Sequence, residues 1–91
     1  LNKLNNFIKN TKSNLGETPL VKYFSGIYEF RKKNYLKAID ILENIEFDQK
    51  DFNRNAIKYE ILAQSYDSIG KYTVAYKYFE ASNNIFKSIH I

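Results

Sequence analysis

Gly26, Tyr35, Ala38 and Leu42 are followed 37 residues later by Ala63, Tyr72, Ala75 and Phe79. Both sets read small, aromatic, small, large, with steps of nine, three and four residues. Self-similarity at a period of about 20–50 residues marks folds in which one supersecondary unit stacks on the next. This limits the chain more than any other feature. A unit of that size cannot bury its apolar face alone, so its copies must pack side by side. Such stacks mostly present surfaces that hold partners, not pockets that do chemistry.

The units read as helical. Thr18-Pro19 is an N-cap followed by proline at the first helical position, where a missing N–H costs nothing. Leu20, Phe24, Ile27 and Phe30 follow at helical spacing, widened by Tyr23 and Tyr28, and predict a helix from Pro19 to about Lys32. A tight turn at Lys33-Asn34 leads into a second helix, with Tyr35, Ala38, Ile39, Leu42 and Ile45 on one stripe. So short a turn makes the two helices antiparallel neighbours. Phe47 to Lys50 is a connection, and Asp48 or Asp51 supplies the next cap; Asp48 with Asp51 is a carboxylate version of the capping box. Phe52, Ala56, Tyr59, Ala63 and Tyr66 predict a long helix over about 49–69. Gly70 is expected to stop it in the left-handed conformation, and a last helix runs from Tyr72 to about Ser88. Segment 2–14, with Leu4, Phe7 and Ile8 spaced helically toward Leu15, predicts one more helix before a break around Gly16. No β alternation or hairpin turn competes. The expectation is a single all-α domain of about five helices: 1–17 as flanking helix and break, 18–50 as one unit, 51–91 as the next.

The repeated spacing has a packing reason. Helices joined by a two-residue turn cross closely, which calls for small side chains where their axes approach. Gly26 and Ala63 supply these on the first helix of each pair, Ala38 and Ala75 on the second. Tyr35 and Tyr72 are expected to plug the turn ends, with Leu42 and Phe79 filling the space beyond.

Leu62-Ala63, Tyr66, Gly70, Tyr72, Ala75 and Phe79 make segment 56–87 resemble a tetratricopeptide repeat. Segment 19–50 resembles a degenerate copy: Gly26, Tyr35 and Ala38 fit, Glu29 replaces an aromatic, and Lys33 replaces the turn glycine. The helix-ending proline is missing from both, and the period of 37 exceeds the family's 34. The resemblance implies antiparallel helix pairs stacked as a short right-handed solenoid whose concave face binds peptide segments. A fainter one exists: the run from Leu62 to Ser88 is similar to the last repeat before the catalytic domain in bacterial tetratricopeptide sulfotransferases.

Composition narrows the rest. Forty-four per cent hydrophobic residues, with eight Tyr and seven Phe among 91 residues, argue against disorder. Without cysteine there is no disulfide framework and no thiolate metal site, which fits a reducing, cytoplasmic setting. No apolar run approaches the roughly 20 residues that span a bilayer, so no membrane partner is expected. Leu1 to Ile8 carries four polar residues and no signal-peptide pattern. A start at Leu1, with no Met anywhere, reads as a segment of a longer protein. The net charge is +4, but the dense cluster Arg31, Lys32, Lys33, with Lys37 near by, falls where a helix should end. Cations there complement the helix dipole, so nucleic-acid binding is not expected.

Catalytic constellations are missing. His90 is the lone histidine, and general acid–base or metal chemistry needs a second positioned group. The acids Asp40, Glu43 and Glu46, and Asp48 with Asp51, fall on a polar helix side and at a helix start. No phosphate loop is present. No enzyme activity, cofactor or metal is expected of these residues. The tyrosines invite a base-stacking role, but Tyr35, Tyr59, Tyr66, Tyr72 and Tyr76 sit on stripes expected to face other helices.

In the resembled family, ligands contact the first helix of each pair. The matching positions are Leu20, Tyr23, Ile27 and Phe30, then Ile57, Glu60, Gln64 and Asp67. The family's carboxylate clamp needs Lys and Asn where Tyr23 and Ile27 stand, so a chaperone tail is not expected. An amphipathic segment with a basic end suits the surface, unless the N-terminal helix covers it. The last helix carries two apolar stripes: Tyr72, Ala75, Tyr76, Phe79 and Phe86, expected to face inward, and Val74, Tyr78, Ala81, Ile85 and Ile89, expected to be open to a homodimer. The leading reading is a non-catalytic protein-interaction module. The alternative is an accessory segment of a larger enzyme such as a sulfotransferase.

Overall fold

A computed structural model describes residues 18–89 of the chain, with side chains through Lys87. The described residues form four helices and no strand: α1 (Pro19–Arg31), α2 (Tyr35–Glu43), α3 (Phe52–Ser68) and α4 (Tyr72–Ile89). The expected helix at 2–14 lies outside the described residues. α1 packs on α2, and α3 on α4; α3 also packs on α2 and touches α1.

Local chemistry places the helix ends. Thr18 has extended backbone and its side chain accepts a hydrogen bond from the Val21 N–H, so α1 starts at Pro19 as expected. α3 starts at Phe52 rather than 49. Asp51 is its cap, with Oδ1 accepting from the Arg54 N–H, while Asp48 Oδ1 is taken by the Lys50 N–H in the preceding turn. The capping box therefore does not form. α2 ends at Glu43, so Ile45 is not helical; it reaches the core from the connection instead.

The 37-residue period is visible in the backbone. At the end of α1 the Lys33 N–H donates to Phe30 O and the Asn34 N–H to Glu29 O. At the end of α3 the Gly70 N–H donates to Asp67 O and the Lys71 N–H to Tyr66 O. Each acceptor and donor is 37 residues from its mate. Both turns carry one residue of positive φ, Lys33 at 67° and Gly70 at 85°. This is the αL closure that satisfies the last carbonyls of a helix.

The small residues do what the spacing demands. Ala38, Ala63 and Ala75 are buried. At Gly26 an added Cβ would lie 2.5 Å from Leu42 Cγ, so α1 and α2 meet without room for a methyl group. The core joins Tyr23 of α1, Ile39 and Leu42 of α2, Ile45, and Ile61 and Leu62 of α3, with Ile27, Phe30, Phe47, Tyr59, Tyr66 and Tyr78 packed against it.

Candidate interaction surface

The first helix pair forms a groove that α3 fills. Tyr23, Ile27 and Phe30 of α1 and Ile39 and Leu42 of α2 line it, and Ile61 and Leu62 of α3 sit in the same core. Phe30 and Tyr35 bridge the two helices near the turn, ring centroids 6.0 Å apart. Tyr23 is therefore a buried core residue, edge-on to Phe47 at 5.3 Å, and not part of an open groove. Its burial corrects the expectation that the whole row on α1 contacts ligand: α3 packs on it. Ile27 and Phe30 are half-buried for the same reason. Leu20, Ile57, Glu60, Gln64 and Asp67 are exposed.

Moved on by one period, the groove of the second pair has Glu60, Gln64 and Asp67 on α3, and Tyr72, Tyr76 and Phe79 on α4. No described helix fills it. Ile39 is 7% exposed and its mate Tyr76 65%; Leu42 is 0% exposed and Phe79 37%. Tyr72 does not plug its turn; it is 67% exposed. The opposite end behaves in the same way. Ile61 is 9% exposed against the first pair, whereas its mate Phe24 on α1 is 58% exposed, with Val21 and Tyr28 open beside it. Whether segment 1–17 covers this end lies outside the described residues.

The two expected stripes of α4 are each split: Ala75 is buried and Phe86 half-buried as expected of the inward stripe, but Tyr72, Tyr76 and Phe79 of that stripe are exposed. Tyr78 points inward, stacked on Tyr59 and Tyr66 with centroids 5.8 Å away in each case, and Ala81 and Ile85 are half-buried. Val74 is exposed, and the side chain of Ile89 lies outside the described residues. The inward face is Ala75, Tyr78, Ser82 and Ile85, with Ser82 bonded to α3 and Tyr78 reaching the end of α2. Glu43, the last residue of α2, holds that joint: its carboxylate accepts hydrogen bonds from the Tyr66 hydroxyl and from the Tyr78 hydroxyl at 3.1 Å. Burial first, and then the hydrogen bond to Glu43, raise both phenols above their ordinary range, Tyr78 to about 12.

A second polar set was missed by periodicity. Lys58 and Asn55 of α3 are buried and serve the connection from α2: Lys58 Nζ donates to Ile45 O at 3.0 Å and Asn55 Nδ2 to Asp48 O at 3.0 Å. They line a cleft of about 420 Å³ with Glu46, Phe47, Gln49, Tyr59 and Ile85. Burial lowers the Lys58 pKa, with Glu46 opposing. Ser82 Oγ donates to Ala56 O and ties α4 to α3. Lys58 thus pairs the carbonyl of the buried Ile45, while Asn55 adds a second donor to Asp48 O, which also accepts from the Asp51 N–H. No periodic signal marks these groups, since each answers a carbonyl in another helix or loop.

Among the described residues no group of His, Cys, Asp or Glu is placed to hold a metal ion, and no helix is long and apolar enough to cross a membrane. The Arg31–Lys33 cations sit at the α1 terminus, with Lys32 Nζ 5.0 Å from the Tyr28 ring centroid. Compared with known proteins, the chain matches no family model, no curated protein and no solved structure.

Proposed function

We propose that the protein is a non-catalytic protein-interaction module, a short tetratricopeptide-like stack of two helix pairs that binds a peptide or helix. The observation that supports this is the contrast between period mates. Side chains buried by a neighbouring pair in one half of the molecule have open counterparts in the other half, and these are large and aromatic. Contiguous exposed apolar side chains of this kind are the usual mark of an interaction site.

Display selection with helix-forming peptides against the 91-residue chain tests the reading. Enriched peptides should be amphipathic, and their binding should be lost on Tyr76→Asp or on Phe24→Asp, with the melting temperature unchanged. Selection of no peptide, or of peptides indifferent to both substitutions, would sink it.

A further inference from the structure

The groove left open by the second pair differs in chemistry from the groove that α3 fills. In the first pair both walls are apolar: Tyr23, Ile27 and Phe30 face Ile39 and Leu42. In the second, the α4 wall stays apolar, with Tyr72, Tyr76 and Phe79, while the α3 wall becomes Glu60, Gln64 and Asp67, all exposed. The two acids are seven residues apart, two helical turns or about 10.5 Å, on one row of α3. Gln64 between them donates Nε2–H to Glu60 Oε2 at 3.3 Å, so the row forms a continuous polar edge. Glu80, one turn beyond Tyr76, adds an exposed acid on α4. A helix like α3, apolar toward both walls, would desolvate these carboxylates without pairing them, which is costly.

We propose that this groove takes an amphipathic helix of a partner that presents an apolar edge to Tyr72, Tyr76 and Phe79 and a basic edge to Glu60 and Asp67. This rests on the interaction-module reading and names the partner class. Charge complementarity selects it: two carboxylates two turns apart match Lys or Arg at i and i+7 of a helix lying along α3. The ring stripe supplies the apolar contact area, and the acids set which helix is accepted and in which direction it lies.

Two synthetic peptides test this against the full chain by fluorescence anisotropy. Both carry the same leucine stripe; one is flanked on one side by lysines two turns apart, the other by glutamates there. The lysine peptide should bind about ten-fold more tightly at low salt, the scale of two exposed charge pairs turned from attraction to repulsion, and the gap should shrink at high salt. Glu60→Lys with Asp67→Lys should reverse the preference, and Tyr76→Asp should weaken both peptides. Equal affinities, or a preference unmoved by the double substitution, would overturn the proposal. Binding lost on Phe24→Asp but not on Tyr76→Asp would place the site at the α1 end, leaving the interaction module standing and this groove wrong. If neither peptide binds and the parent chain sediments as a dimer that Tyr76→Asp dissociates, a second copy fills the groove and the proposal is likewise overturned.

Discussion

Lys33 and Gly70 meet the same backbone demand with different residues. Both close a helix at positive φ, and a side chain there brings Cβ against a carbonyl, at a cost of about 1–2 kcal/mol. Lys33→Gly should therefore stabilise the protein, by about 0.5–1 kcal/mol once the greater freedom of glycine in the unfolded chain is subtracted. Gly70→Ala should cost a similar amount. A Cβ at Gly70 meets nothing within 4 Å, so the loss would be purely conformational. Urea denaturation of the two variants measures both signs; a destabilising Lys33→Gly would contradict the left-handed turn. Gly26 and Ala75 answer a different demand, that of close helix crossing. Gly26→Ala would drive a methyl group into Leu42, and Ala75→Leu would overpack a site 2% exposed. Each should lower stability by about 1–3 kcal/mol in the same assay, and a melting temperature equal to that of the parent would refute the packing.

At the scale of elements, the Glu43 joint makes the α2–α4 contact sensitive to base. The folded pKa values of Tyr66 and Tyr78 lie above the unfolded value of about 10. The folded state thus binds protons that the unfolded state releases, so this stability is fully present below pH 10 and is lost as pH rises through about 12. Tyr78→Phe should flatten the fall above pH 10 in stability measured against pH; an unchanged profile would remove Tyr78 from the joint. Glu29 works in the acid range. Its carboxylate accepts from Asn34 Nδ2 at 2.8 Å and lies 3.8 Å from Lys37 Nζ, which lowers its pKa, mainly through the Asn34 hydrogen bond. Stability from this contact is present above the ordinary carboxylate range and fades as pH falls through the lowered value, so Glu29→Gln should leave a shallower acid limb. What could be read from residues follows the same division. The period located both turns and the four small residues, because close crossing and left-handed closure leave local marks. It could not tell the faces of α4 apart. A repeat specifies which side of a helix meets a neighbour, but the burial of Tyr76 or Phe79 depends on whether that neighbour is there. The Glu43, Lys58 and Asn55 contacts were illegible because each joins residues from different helices or loops, without periodic constraint.

For the whole molecule, α3 is the shared element: it closes the first pair's groove and forms half of the second pair. Leu62 is 1% exposed at its centre, and Lys58 and Asn55 on the same helix secure the connection from α2. Because α3 packs against α1, α2 and α4, the two pairs should unfold as one unit. Leu62→Ala removes a large buried side chain and should cost about 2–5 kcal/mol, a sizeable share of the roughly 5–15 kcal/mol that holds a domain folded. Its effect should reach both ends of the molecule. In native-state hydrogen exchange, the Gly26 amide in α1 and the Ala75 amide in α4 should report the same opening free energy in the parent chain, and should lose equal amounts in the variant. If α4 kept its protection while α1 lost it, or the reverse, the pairs would be separate folding units and α3 would belong energetically to only one of them.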